Sequence, residues 1–288
     1  MSDLPSLRFG VSEFTTNPWS FARDVETYAR LGVEGIEVCE FKLDETLVSD
    51  QLASATEHGL TISSAQPVVR TLFPSRSQPE PLSVPARMAR FRETIRRFGA
   101  FARDVSFVTN TGIPPQGNIQ QVLGAAAVEY RALADFAGEY GARIALEPLN
   151  ASIMNVESAI WTLPQALEIV AAVDRPNFGV CLDLWNVWQN AQIEIEIAAC
   201  GDRIFVVQLS DWRTPRSYQD RLVVGQGEIP LPPLLRAIYM SGFRGVYSVE
   251  IFSAGVPDAL WDGDLERVIT ESKDGLEAAW RTAFTESR

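Results

Sequence analysis

The chain has 288 residues, 46% of them hydrophobic, with 37 acidic against 25 basic side chains and a formal net charge of −12. A field of that sign repels phosphates, which argues against general nucleic-acid binding and against adhesion to an anionic membrane surface. Cys39, Cys181 and Cys200 are odd in number and lack CxxC or Cys/His spacing, so they suit a reducing compartment better than a disulfide scaffold.

MSDLPSLRFG at the start has neither the basic nor the apolar region of a secretory signal, and no run of about 18 apolar residues follows anywhere. A cytoplasmic protein that does not cross a membrane is expected. The first strand is predicted over Leu7–Phe14, with Asn17-Pro18 opening the first helix and Gly32 closing it. A second strand, Gly35–Phe41, precedes a helix closed by Gly59. His58, the one histidine, falls in the last turn of that helix, where a surface residue helped by the helix dipole is expected.

The third strand, Thr61–Val69, runs into Val69–Pro85, a long segment with four prolines that reads as a lid or pocket wall. In ARMARFRETIRRFGAFAR, Met88, Phe91, Ile95, Phe98 and Ala102 recur every three or four residues. That spacing marks an amphipathic helix whose arginines (Arg87, Arg90, Arg92, Arg96, Arg97, Arg103) form a solvated face. Further strands are predicted at Val105–Asn110, Arg143–Leu149 (after a helix closed by Gly141), Phe178–Leu184, Arg203–Leu209 and Gly245–Phe252. A second long loop, Asp211–Glu228, carries Arg213, Arg216, Arg221 and the turn Gly225-Gln226-Gly227.

Eight strand–helix units in one chain predict an α/β fold, a (β/α)8 TIM barrel forming one domain over residues 1–288. A doubly wound open sheet would carry a glycine-rich phosphate turn after its first strand, and SEFTTNPWS stands there instead.

Four of the apolar runs end in ligand-type residues: Glu147 in RIALEPLN, Asp183 in FGVCLDLWN, Gln208 in IFVVQLSD and Glu250 in GVYSVEIF. Parallel barrel strands gather such ends at one rim, where active sites of this architecture lie. Three carboxylates and an amide brought together there repel one another unless a hard cation, Mg²⁺ or Mn²⁺, lies between them. Buried structural carboxylates are the alternative. With a single histidine in the chain, a multi-zinc site and a Ser-His-Asp or Cys-His mechanism are disfavoured.

The segments ALEPLN, GVCLDLWNVW, VVQLSDWRTP, RLVVGQGEIPLPPLLRAIYMSGFRG and VYSVEIF resemble the sugar phosphate isomerase/epimerase superfamily, the xylose-isomerase-like TIM barrels. The resemblance implies one divalent ion held by Glu147, Asp183, Gln208 and Glu250. It further implies that Glu147 and Glu250 form a catalytic proton-transfer pair acting on a keto-sugar or related polyol through a metal-stabilised enediolate.

The chain departs from the family pattern at three positions. Asn186 stands where many relatives have histidine, Ile153 where the 3-epimerases have a glutamate, and Gln208 where histidine is commoner. A metal-dependent lyase dehydrating a keto-inositol or 3-dehydroshikimate-like substrate is therefore the alternative within enzymes. A catalytically weakened carbohydrate-binding barrel is the alternative outside them.

Asn186 reads equally as a hydroxyl binder or a loop-capping amide. Arg213 and Arg221 read as grips for an anionic group or as ion-pair partners, and Asp211 as a loop cap or a support behind the site. Phe252 and Trp185 read as substrate-flanking rings or barrel packing. Pairing of barrels in this family makes a homodimer the assembly to expect.

Overall fold

The computed structural model describes residues 4–214 and 220–285, so Arg216 lies outside the described residues. Eight parallel strands close into a barrel in sequence order: β1 (Phe9–Ser12), β2 (Gly35–Cys39), β3 (Thr61–Gln66), β4 (Ser106–Thr109), β5 (Arg143–Leu146), β6 (Phe178–Asp183), β7 (Ile204–Leu209) and β8 (Tyr247–Val249). Closure is made by β1 lying beside β8, with Phe9 opposite Tyr247. The described helices are α1 (Phe21–Arg30), α2 (Val48–Glu57), α3 (Val84–Phe98), α4 (Ile119–Glu139), α5 (Leu163–Val173), α6 (Leu184–Val187), α7 (Ile193–Cys200), α8 (Leu231–Met240) and α9 (Leu265–Thr285). Every predicted strand is present, each shorter than its apolar run by the residues that extend into the rim loops.

Alternation along the strands sorts side chains into two environments. Phe107, Ile144, Leu146, Val180, Leu182 and Val207 face outward into the main core beneath the helices. Their neighbours Val108, Ala145, Cys181 and Val206 form a separate buried cluster. Two residues further along each of these four strands come Asn110, Glu147, Asp183 and Gln208, which share that inward direction one layer nearer the C-terminal rim. The period of two therefore lifts the polar set directly above a dry floor. Asp183 stands opposite Gln208 across the β6–β7 pair.

Gly32, Gly59 and Gly141 take positive φ just after α1, α2 and α4, as their closing role requires. Two local expectations are corrected. The first helix starts at Phe21 and not at Pro18, because the Ser20 hydroxyl caps it by accepting from the Arg23 amide. Arg87 is not on a solvated face but fully buried. Its Nε donates to the Thr71 carbonyl at 2.6 Å, Nη1 to the Pro81 carbonyl at 2.8 Å, and Nη2 to the Thr71 hydroxyl. It fastens the proline-rich β3–α3 segment to the barrel. Arg97, half-buried on the same helix, pairs with Glu40, Glu45 and Glu93.

Candidate active site

Glu147 follows β5, its amide donating to the Thr109 carbonyl, and Asp183 ends β6, where it accepts from the Trp185 amide at 3.0 Å to start α6. Glu250 follows β8, its amide donating to Leu209. All three carboxylates are buried, and one oxygen from each lies within 4.8 Å of the others. Asn186, one turn after Asp183, donates its side-chain nitrogen to Glu147 at 2.9 Å and to Asp183 at 2.8 Å, while its oxygen accepts from the Asn150 amide. It is thus both a clamp on two triad members and a loop support. Asn110 holds the other Glu147 oxygen at 3.1 Å.

The one cation in contact with the triad among the described residues is Arg221. Its Nη2 is 3.0 Å from Asp183 and its Nη1 2.9 Å from Glu250, all three side chains almost completely buried. The guanidinium lies 4.8 Å from the ring centres of both Trp185 and Phe252, so those two rings hold it from two sides.

Gln208 reaches the same cluster as a donor. Its Nε2 lies 2.8 Å from both Glu37 and Glu250, and its oxygen accepts from the Cys181 thiol at 2.9 Å. Two carboxyl oxygens at one end and the Cys181 thiol at the other set which end of the amide is nitrogen in this arrangement. To present its oxygen to an ion, the amide would have to turn over and give up both bonds. Burial pushes the Cys181 thiol far up, which keeps its proton available to Gln208.

Above the triad is a cavity of about 340 Å³, walled by Phe14, Gln66, Arg70, Asn110, Glu147, Ile153, Glu157, Trp185, Asn186, Arg221, Glu250 and Phe252 among others. Glu147, Glu250, Asn186, Arg221, Trp185 and Phe252 are thereby brought together. Arg213 is not: half-exposed, it lies 3.7 Å from Asp258 outside the cavity wall. Asp211 caps its own loop, accepting from the amides of Trp212, Gly225 and Ile229. A Cβ on Gly227 would come within 2.3 Å of the Asp211 carboxylate, which explains that glycine without a phosphate. His58 is exposed at the end of α2 and bonds Ser54.

Sequence reasoning missed Glu37, Gln66, Asn110, Arg70 and Glu157. Glu37 carried the clearest signal, a carboxylate inside the apolar run GIEVC, where a buried parallel strand tolerates charge only if it is hydrogen-bonded. It accepts from Ser64 at 2.7 Å and from Gln208. Glu157 lies in the wall four residues beyond Ile153 and accepts from Ser77.

Burial is the main force on the triad's protonation. It lifts the Glu147 carboxyl to about 7, helped by the nearby Asp183 charge, and raises Asp183 and Glu250 against the opposing pull of Arg221. Three buried carboxylates facing one guanidinium form an all-oxygen donor set with surplus negative charge. That set fits one divalent ion.

The family model for the xylose isomerase-like TIM barrel matches residues 25–278, and the chain belongs to that family. It is similar to an inosose isomerase of Bacillus velezensis, 28% identical over 240 residues that cover 80% of this chain and 82% of that protein. A 3-dehydroshikimate dehydratase of Pseudomonas putida is 32% identical over 137 residues, 44% of this chain and 20% of that protein. The crystal structure of the IOLI protein with a bound zinc atom superimposes with a TM-score of 0.80 at 23% identity, covering 97% of this chain and all of that one. The family membership and these relatives make the chain an isomerase/epimerase-like enzyme. No described helix is long and apolar enough to cross a membrane.

Proposed function

We propose that the chain is a divalent-metal-dependent isomerase or epimerase acting on a keto-sugar or related polyol by α-proton transfer. The observation that carries this reading is the buried Glu147–Asp183–Glu250 triad, with Glu147 and Glu250 both lining one cavity. The triad would hold the ion, Mn²⁺ or Mg²⁺ given oxygen donors alone, with Gln208 bracing Glu250 from behind. Its chemistry when bound is to draw electron density from a substrate carbonyl and adjacent hydroxyl.

The chain's own residues do the rest. Glu147 and Glu250 exchange protons with the substrate carbon from their two sides; burial raises both carboxyls, that of Glu147 to about 7, and so favours their holding a proton. Ligation would pull the other way, toward the ionised form of both carboxyls. Asn186 and Asn110 fix the Glu147 carboxylate plane. Arg221 Nε and Trp185 Nε1 are buried donors without a hydrogen-bond partner among the described residues.

The similarity to the B. velezensis inosose isomerase favours a cyclic keto-polyol. The dehydratase relative keeps a lyase as the second reading, since loss of water also begins with α-proton removal. The test is incubation of the Mn²⁺-loaded protein with ketoses and inososes in deuterated water. Exchange at the α-carbon without loss of water, abolished in Glu147→Gln and Glu250→Gln, is the expected result. An enone product would replace this reading with dehydration, and activity untouched by both substitutions and by chelation would end it.

A further inference from the structure

Three guanidinium groups line the cavity, and they are not equivalent. Arg221 is bound on both sides by Asp183 and Glu250. Arg76 lies 3.5 Å from Glu157. Arg70 has no carboxylate within ion-pair distance and no hydrogen-bond acceptor for its side chain among the described residues; the Glu147 carboxylate feels its charge only from beyond contact. Its guanidinium is only backed by the Phe14 ring, whose centre is 5.5 Å away.

Its backbone is nevertheless fastened at three points. The amide donates to Gln78 at 3.0 Å, and the carbonyl accepts from the Asn110 amide at 3.0 Å and from the Thr109 hydroxyl at 2.7 Å. Arg87 secures the next residue, Thr71, by its carbonyl and hydroxyl. A half-buried cation on a fastened backbone, lining a cavity and without an ion-pair partner among the described residues, is a preorganised recognition group. Elsewhere in this chain guanidinium groups next to the cavity are neutralised, so the missing anion is the ligand's.

We propose that Arg70 is an anion subsite of the cavity and that the substrate carries a carboxylate, gripped by Arg70 in the cavity above the Glu147–Asp183–Glu250 triad. A carboxylate suits the site better than a phosphate. One planar fork matches two coplanar oxygens, whereas a phosphate group calls for additional donors, and the neighbouring Arg76 is engaged by Glu157. The substrate class is accordingly a polyhydroxy keto-acid, with its carbonyl at the triad and its carboxylate at Arg70.

This inference rests on the proposed function only in taking the cavity as the substrate's seat, and it can be tested without turnover. Calorimetric binding of D-gluconate and of its neutral counterpart D-glucitol would be measured on the full chain, with Mn²⁺ and after chelation. The wild type is expected to bind gluconate about tenfold or more tightly than glucitol in both states, the contribution of a charge-assisted pair in a partly buried site. Arg70→Met should remove that preference while leaving glucitol within about twofold, and Arg70→Lys should retain part of it.

Equal binding of both ligands by the wild type overturns the proposal. So does an equal loss of both in Arg70→Met, which would mean a wall residue only. A preference that disappears on chelation would assign the carboxylate to the ion, and D-glucitol 6-phosphate binding more tightly than gluconate would assign a phosphate. Either outcome also overturns the proposal. Should Arg70→Met fail to fold, Arg70→Gln carries the same comparison. Absent α-proton exchange would sink the isomerase reading and leave this subsite standing, so the two failures are distinguishable.

Discussion

Arg221→Met is the substitution that tests the electrostatics of the site most directly. The wild-type guanidinium is 6% exposed and touches two carboxylates that are 0% and 4% exposed. Removing one partner of a buried pair leaves uncompensated charge and costs about 3–5 kcal/mol, against about 0–1 kcal/mol for a surface pair. The carboxyls can escape that cost by taking up protons, so the loss depends on pH.

The sign follows from Glu147, whose carboxyl is raised from 4.5 to about 7 in the folded chain. A raised carboxyl contributes stability that is fully present below pH about 4.5 and is lost as pH rises through about 7, because the folded state binds the extra proton. Without Arg221 the Asp183 and Glu250 carboxyls rise further, and the slope steepens and extends to higher pH.

A divalent ion favours the ionised triad, so its stabilisation grows with pH. It should also be larger in the variant, where no guanidinium competes for the same oxygens. Urea unfolding at pH 6 and 8.5, in chelator and in Mn²⁺, reads all of this. The expected loss in chelator at pH 8.5 corresponds to a fall in Tm of about 10 °C for a chain of this size. A loss below about 1 kcal/mol that is the same at both pH values would refute the reasoning.

Arg87→Met leaves the buried Thr71 carbonyl and the partly buried Pro81 carbonyl without their guanidinium donor and should cost about 2–3 kcal/mol. It should also open the proline-rich segment to limited proteolysis between residues 70 and 82; cleavage unchanged from wild type would rule out the fastening role. Glu13→Gln probes a second buried acid pair. Glu13 Oε1 and Asp24 Oδ1 have no donor of their own among the described residues, and burial with the Asp24 contact raises Glu13 well above its usual range. The wild type therefore loses stability as pH rises above the ordinary glutamate range, whereas a glutamine amide can donate to Asp24 without a proton from solvent. The variant should match the wild type near pH 5 and exceed it by about 1 kcal/mol at pH 8 in urea unfolding. A variant less stable at pH 8 would sink the shared-proton picture.

Much of the site was legible before any coordinates because strand ends in a parallel barrel converge. Glu147, Asp183 and Glu250 each close an apolar run, and the alternation that places Ala145 and Cys181 inside places the acids inside too. Arg221 was visible only as one arginine in a loop with Arg213. Nothing local distinguishes the one that enters the barrel mouth from the one that pairs with Asp258 at the surface. Arg87 was misread for a related reason: helical periodicity marks the apolar stripe, but a long side chain at its edge can turn inward when carbonyls wait there.

By itself the sequence determined the repeated strand–helix unit, the inward period of two and the acidic strand ends, because these depend on residue type and short-range spacing. The donors and acceptors around them were decided by tertiary structure. Gln208 stands 171 residues from Glu37 in sequence and 2.8 Å from it in space, a contact that no local spacing foretells. Arg70 differs from Arg76 and Arg221 in having no carboxylate at ion-pair distance among the described residues. Pairing of charges depends on distance through the folded protein, and distance across a barrel mouth is set by closure of the whole sheet, not by any segment of it.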